Sequence, residues 1–578
     1  MDSKETLPVT EDHPGSSTED EMPEKTDPGL VPGVAKSSDP DTSDGEVPST
    51  TDGLHPNEQT GAQEPEYITG VKLHLIIFAI TLCCFLMLLD SSILSTAVPV
   101  ITNDFHALED IGWYVSAYQL ALSALQPLTG KFFTYFSLKW TFLVFFGLFE
   151  LGSLLCGVAV SSKMLIIGRA VAGLGGSGLY NGGMTIIVAC LPLQKRPTVT
   201  GIVMGCAQLG LIAGPLVGGA LTEFTTWRWC FYINLPIGGL AAILLAVIHI
   251  PDQTEKQGFK AVVTDPNVWH KFDLTGSLLF VPAVVMLLLA LHFGGGEYAW
   301  DSATVIGLFC GFGGALAVFL AWEWRAGEDA MVPLSMIRKQ VVWASSLSGM
   351  FMFSSMFCIT YFIPVFFQAI LGATPVRSGV YMLPTMLSQL IAGVSSGFLV
   401  SKFGYYLPWL AFSGVALSIS NGLMSTFTAS TATGQWIGYQ ILHGVGRGTG
   451  IQMPLLAVQS ALPVTQVSVG IALNVFIQNL GSAIFISAAN TIFDGALKSQ
   501  LVEKAPGVDA EAVIAAGATG FRKFVPSADL PGVLSAYATS VDRVFYLAAG
   551  LAVAAFATSW GTGWNDVRKK KAAAVGEV

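Results

Sequence analysis

A carboxylate at Asp90 and a guanidinium at Arg169 stand in stretches otherwise written in apolar residues. Charge at such positions is costly unless it is paired, hydrated or neutralised by a proton. Lipid burial favours the protonated acid and a facing guanidinium favours the carboxylate, so a moving Arg169 or an arriving cation would switch Asp90 between proton-bound and proton-free. At a rise of 1.5 Å per residue, Asp90 lies roughly 15 Å and Arg169 roughly 8 Å from the outer ends of their segments, close enough for the side chains to meet. A static ion pair joining two helices is the plainer outcome. Glu150, in a third apolar stretch, is a second acid for which proton exchange and simple helix bonding both stand open.

Uncharged polar side chains are scattered through the other apolar stretches: Gln119, Gln126, Asn181, Gln208, Gln368, Gln389, Asn474 and Gln478. Some are expected to line a cavity and the rest to bond neighbouring helices. Arg447, with His443 one turn before it, suits either an anionic substrate or helix anchoring. The sequence Gly173-Leu-Gly-Gly-Ser-Gly178 fits a dinucleotide-binding spacing but lies inside an apolar run, and no phosphate-binding GxxxxGK[ST] pattern occurs. No metal site, cofactor or enzyme chemistry is therefore expected, and an ion gradient is the expected energy source. The eight cysteines fall in or at the ends of apolar stretches and read as small core residues.

These residues need a bilayer around them. Of 578 residues 52% are hydrophobic and 12% charged, with a mean hydropathy of +0.58. Fourteen segments approach the roughly 20 residues that span a membrane, beginning near 74 and ending near 563. The expected class is an all-α polytopic membrane protein. Residues 1–70 carry a net charge of −14 and leave the remainder at +3, so residues 1–72 read as an acidic disordered tail. Residues 565–578 read as a basic one. Bases such as Lys131, Lys139, Lys195, Arg196, Lys256, Arg338, Lys339 and Lys402 follow even-numbered segments, which places both termini in the cytoplasm.

The chain also repeats itself. Gly112-Trp-Tyr114 and Gly130 match Gly379-Val-Tyr381 and Gly397 at an offset of 267, and Gly173-Leu-Gly175 and Gln208-Leu-Gly210 match Gly444-Val-Gly446 and Asn479-Leu-Gly481 at 271. Two six-helix units, 73–250 and 342–564, follow, the second including an outer loop at 495–540, and 251–341 is a linker with two further helices. At the position matching Arg169 the second unit has Gln440, and opposite Asp90 it has Phe357, so the ionic pair belongs to the first unit alone.

Between Gly205 and Gly219 the chain reads GCAQLGLIAGPLVGG. Gly210, Gly214 and Gly218 share one helix face, where a second backbone can approach closely, and Pro215 removes a backbone donor and weakens the helix locally. This stripe resembles the antiporter motif on the fifth helix of major facilitator exporters, which that family places at the seam between its halves. Leu89 to Pro99, Leu165 to Gly173 and WRWCFYINLPIG from Trp227 to Gly238 resemble further motifs of its fourteen-span drug:proton antiporter branch, the last in the manner of fungal members. The loop after the second helix departs from the pattern, with Thr134 and Ser137 where an acid and a glycine are usual.

The resemblance implies a major facilitator fold of fourteen transmembrane helices (6+2+6) and a monomeric, proton-coupled efflux pump for a drug, toxin or secondary metabolite. It would sit in the plasma membrane, with the bilayer, protons and a small molecule, not nucleic acid, as partners. Asp90, Arg169 and Glu150 would be its proton-coupling residues, and Gly205, Gly210, Gly214, Pro215, Gly218 and Gly219 the seam. Vacuolar transport of basic amino acids or of siderophores is the alternative on the same fold, and a membrane sensor signalling through the acidic tail is a third.

Overall fold

The computed structural model describes residues 67–107, 110–253, 256, 264, 272–295 and 298–568. Most of the acidic tail, Lys260, Lys271 and the basic run after Arg568 lie outside that set. The described residues are helical almost throughout. The first six long helices are α1 (Val71–Phe105), α2 (Ile111–Tyr135), α3 (Leu138–Gly157), α4 (Ser162–Cys190), α5 (Arg196–Phe224) and α6 (Asn234–Val247). Two follow, α7 (Leu274–Phe293) and α8 (Ala303–Ala326), and then α9 (Gln340–Val365), α10 (Leu383–Phe403), α11 (Leu407–Met424), α12 (Thr433–Gly450), α13 (Val464–Lys504) and α14 (Leu530–Ser559).

Among the described residues, eleven helical spans are long and apolar enough to cross a membrane by length and composition. Helices α2, α4 and α12 are absent from that group. They carry Gln126, Arg169 with Asn181, and Gln440 with His443 and Arg447, and these side chains are buried. Their polarity is therefore spent inside the protein.

Packing repeats between the two sets of six. Helix α1 lies on α5 and α2 and α3 on α4; likewise α9 lies on α13 and α10 and α11 on α12. The sets meet through α5 against α10 and α2 against α13. Those contacts are close where α5 begins and α2 ends: a Cβ on Gly201 would stand 2.7 Å from the Gly393 carbonyl, and one on Gly130 would stand 2.7 Å from the Val469 Cα. Thr198 and Ser401 hydroxyls meet across this seam at 2.9 Å. Helices α7 and α8 pair with each other, and α7 reaches α2 and α13. Asp273 holds this pair, accepting from Gly276 N at 2.9 Å, Trp322 Nε1 at 2.6 Å and Met331 N at 2.8 Å.

The loop bases that set the expected orientation also close helix ends. Arg196 donates to the carbonyls of Val188 and Leu191, both at 3.0 Å, at the end of α4. Lys139 donates to those of Ala246 and Ile248 at the end of α6, at 2.5 and 3.0 Å, and Lys256 to those of Phe133 and Thr134 in α2. A cation there satisfies carbonyls that have no helical donor and meets the negative end of the helix dipole. With no acid in the loop after α2, Asp252 supplies one from outside, accepting the Leu138 N–H at 2.9 Å where α3 starts.

The outer loop expected at 495–540 is helical in part. Helix α13 continues to Lys504, and Phe521 stacks on Tyr537 with ring centres 5.0 Å apart. Arg522 donates to the carbonyls of Ala369 and Ile370 at 2.7 and 3.0 Å, closing the π-helical turn Phe366–Ile370 that extends α9.

Candidate functional site

Asp90 and Arg169 meet. Arg169 Nη1 donates to Asp90 Oδ2 at 2.5 Å, and both side chains are buried. The guanidinium is held on two further sides, its Nε donating to the Tyr114 carbonyl at 3.0 Å and its carbon standing 4.5 Å from the Tyr118 ring centre. The second carboxylate oxygen faces Asn234 Nδ2 at 3.4 Å, and the same amide donates to Ser153 Oγ at 3.1 Å. Five helices thus converge on one carboxylate: α1 carries it, α4 neutralises it, α2 positions the cation, and α6 with α3 supplies the amide and its hydroxyl partner.

Glu150 lies one turn before Ser153 on α3. Both its oxygens are buried without a hydrogen-bond partner, and a side chain at Gly238 of α6 would collide with its carboxyl group. It is a second acid beside the network and not joined to it by a hydrogen bond.

The fungal-type motif from Trp227 to Gly238 now has a physical content. Trp227 Nε1 donates to Asp104 at the end of α1 at 3.0 Å, and Arg228 Nη2 donates to the Ala159 carbonyl after α3 at 3.1 Å. Asn234 then reaches Asp90, and Gly238 leaves room for Glu150. Sequence reasoning missed Asn234, Tyr114 and Tyr118. The signal for Asn234 was present, a polar residue inside a quoted motif at the mouth of an apolar segment.

The repeat survives at atomic detail. In the second set, Gln440 Nε2 donates to the Tyr381 carbonyl at 2.8 Å, as Arg169 does to the matching Tyr114, and Thr385 Oγ1 donates to Gln440 Oε1 at 3.0 Å where Tyr118 faces Arg169. Gly173 abuts the Tyr118 carbonyl and Gly444 the matching Thr385 carbonyl. Gln440 therefore does the structural part of the arginine's work without its charge. Gln440→Ala is expected to cost about 1–2 kcal/mol for the two hydrogen bonds and to leave any proton-linked activity intact; the thermal midpoint of the detergent-purified protein measures the first and a transport assay the second.

Gly210, Gly214 and Gly218 correct the expected seam. Each packs on α1 of its own set, at Phe85 and Leu89, at Ser92 and Ile93, and at Ile93 and Thr96 respectively. Ser92 Oγ reaches the Gly210 carbonyl at 3.2 Å. Only Gly205 faces the other set, against Leu390, and a Cβ on Gly219 would meet nothing. Pro215 lies inside α5, which continues through it from Arg196 to Phe224. The physical reason is that close backbone approach fixes that a helix lies against the glycines and says nothing about which one. The stripe runs along the back of the segment that bears Asp90.

The scattered amides divide. Asn474 Nδ2 donates to Ser346 Oγ at 3.3 Å and Gln478 Nε2 to Asn474 Oδ1 at 2.7 Å, joining α13 to α9. The Asn181 side-chain amide and Thr129 Oγ1 lie 2.9 Å apart in a hydrogen bond that joins α4 to α2. Gln126 and Gln389 are buried, Gln368 is half-buried on the π-helical turn, and Gln119 is exposed. Gln208 Oε1 accepts from Arg447 Nη2 at 3.5 Å across the two sets. His443 Nδ1 and Asn421 Oδ1 lie 2.9 Å apart, which anchors that residue to α11. Among the described residues no group of His, Cys, Asp and Glu is placed to hold a metal ion.

Comparison with known proteins agrees with this architecture. The Major Facilitator Superfamily profile matches residues 80–486. The MFS-type transporter pigP of Monascus ruber is 55% identical over 87% of this chain and 88% of its own. The efflux pump mlcE of Penicillium citrinum is 48% identical over 87% and 92%. Among solved structures, the proton:xylose symporter XylE superposes with a TM-score of 0.55 at 14% identity, covering 86% of this chain and 98% of that one. With its repeated six-helix packing and these relatives, the chain belongs to the Major Facilitator Superfamily.

Proposed function

We propose that this protein is a proton-coupled efflux pump that exports a small organic compound, of the drug, toxin or secondary-metabolite kind, by alternating access. The observation that carries the reading is the Asp90–Arg169 pair, fully buried and confined to one of two otherwise matching sets of helices. Relatives that are themselves efflux pumps support the direction of transport. Asp90 exchanges the proton, Arg169 tunes that exchange through its ion pair with the carboxylate, and Glu150 is the nearby second acid. The fourteen long helices span the plasma membrane as 6+2+6, with 73–250 and 342–564 as the moving halves and 251–341 between them. The protein works as a monomer, with both termini in the cytoplasm. The contacts between halves made by Gly201, Gly130 and Thr198 would then lie at the cytoplasmic end.

The test has two stages. A deletion strain identifies the cargo as the compound retained in cells. Vesicles containing the purified protein and that compound are then given a pH jump. Wild type is expected to move cargo and protons in opposite directions, and Asp90→Asn to move neither against a gradient. Cargo export by Asp90→Asn with proton movement intact would sink the assigned role.

A further inference from the structure

Arg447 is buried within α12 as Arg169 is within α4, and its surroundings differ from those of Arg169. Only 5% of it is exposed. Nη1 donates to Thr360 Oγ1 at 3.1 Å, Nη2 reaches Gln208 Oε1 at 3.5 Å, and Nε has no partner. Among the described residues it takes part in no ion pair, whereas Arg169 has a carboxylate at 2.5 Å. A guanidinium stays charged at every physiological pH, and neutral dipoles do not offset the cost of burying it. His443, one turn earlier, is turned to Asn421 and supplies no negative charge.

The position of this unbalanced cation matters as much as its charge. Thr360 lies on the side of α9 shared by Phe357 and Tyr361, neither of which is fully buried, and Tyr361 beside it is 54% exposed. Gln208 comes from α5 of the opposite half. Arg447 therefore stands at the boundary between the halves. Its Nε and Nη2 form the edge of the guanidinium that takes a carboxylate in two parallel hydrogen bonds. That edge meets only the weak contact from Gln208.

We propose that Arg447 is the docking point for an acidic group of the cargo, a carboxylate in its simplest form, with Gln208 as a neutral stand-in that withdraws when the halves part. This rests on the transport reading and names the substrate class for it: amphipathic organic anions, whose apolar remainder meets Phe357 and Tyr361. A cargo anion supplies the charge that the protein omits on this side, as Asp90 supplies it on the other.

Binding is measured without transport, by thermal unfolding of the detergent-purified full chain titrated with 2-naphthoate and with its uncharged counterpart 2-naphthamide. Wild type is expected to bind the acid about tenfold or more tightly than the amide, the usual advantage of a charged hydrogen-bonded partner. Arg447→Gln is expected to remove that preference and Arg447→Lys to keep part of it. Gln208→Ala is expected to tighten the acid and leave the amide unchanged, which keeps the test open if Arg447→Gln does not fold. An Asp90→Asn protein is expected to retain the acid preference, so loss of transport and loss of anion selection are separable. Equal behaviour of acid and amide in wild type, whether both bind or neither does, overturns the proposal, as does an undiminished acid preference in Arg447→Gln.

Discussion

Arg169→Leu is expected to lower the stability of the detergent-purified protein by about 3–5 kcal/mol, the usual cost of removing one partner from a buried ion pair. Asp90 would keep its place on α1 with only Asn234 at 3.4 Å to hold it. The Tyr114 carbonyl would lose its side-chain donor, and Tyr118 the cation over its ring. The double variant Asp90→Leu/Arg169→Leu is expected to recover most of that stability, because burying two apolar side chains of similar size costs far less than burying one lone charge. It is expected to recover no proton-linked transport. Thermal unfolding of the four proteins in a double-mutant cycle measures the coupling between the two residues. A double variant as unstable as Arg169→Leu would show that the pair is not what Arg169 stabilises, and one that still couples cargo to protons would remove the pair from the mechanism.

The comparison with Gln440 makes that experiment interpretable. Both residues bind the carbonyl of the matching tyrosine, so the helix contact survives without charge in the second half. Charge in the first half is therefore in excess of what packing there requires. This is the physical ground for giving Asp90 and Arg169 a task other than helix joining.

How far the sequence carried this site depends on the kind of signal each residue leaves. Asp90 and Arg169 were legible because a charge among apolar residues is costly wherever it lies, and the offsets of 267 and 271 already paired Tyr114 with Tyr381 and Arg169 with Gln440. Those two facts predicted an ionic site in one half of a repeated fold. Asn234 was not legible as a partner of Asp90, since 144 residues separate them and an amide leaves no charge to balance. The contact of Gln208 with Arg447 spans 239 residues and depends on how the two halves meet. The loop bases were read as markers of orientation, and their second use as helix caps needs the neighbouring helix end to be in place. Helices α2, α4 and α12 show the same limit from the other side. Their glycines and polar groups dilute the hydropathy that marks a span, and only tertiary packing shows that those groups face inward.

The glycine stripe gives the other large expected effect. Gly214→Leu is expected to reduce transport by more than its cost in stability, which overpacking puts at about 1–3 kcal/mol. Even a Cβ at Gly214 would stand 2.8 Å from the Ile93 N, and the neighbouring glycines leave equally little room, with Leu89 N 2.9 Å from a Cβ at Gly210 and the Ile93 carbonyl 2.6 Å from one at Gly218. A leucine there must push α1 away from α5. Asp90 lies three residues before Ile93 on that same helix, so the displacement is delivered to the carboxylate, and a bond of 2.5 Å to Arg169 tolerates little of it. A graded series separates packing from site geometry: Gly214→Ala, Gly214→Val and Gly214→Leu are expected to lose transport progressively, while Gly219→Ala, whose Cβ meets nothing, is expected to match wild type in both measurements. Surface expression, thermal midpoint and cargo export are read on each variant. Normal export by Gly214→Leu at a wild-type thermal midpoint would mean that the close approach of α1 to α5 has no part in holding the acid in place.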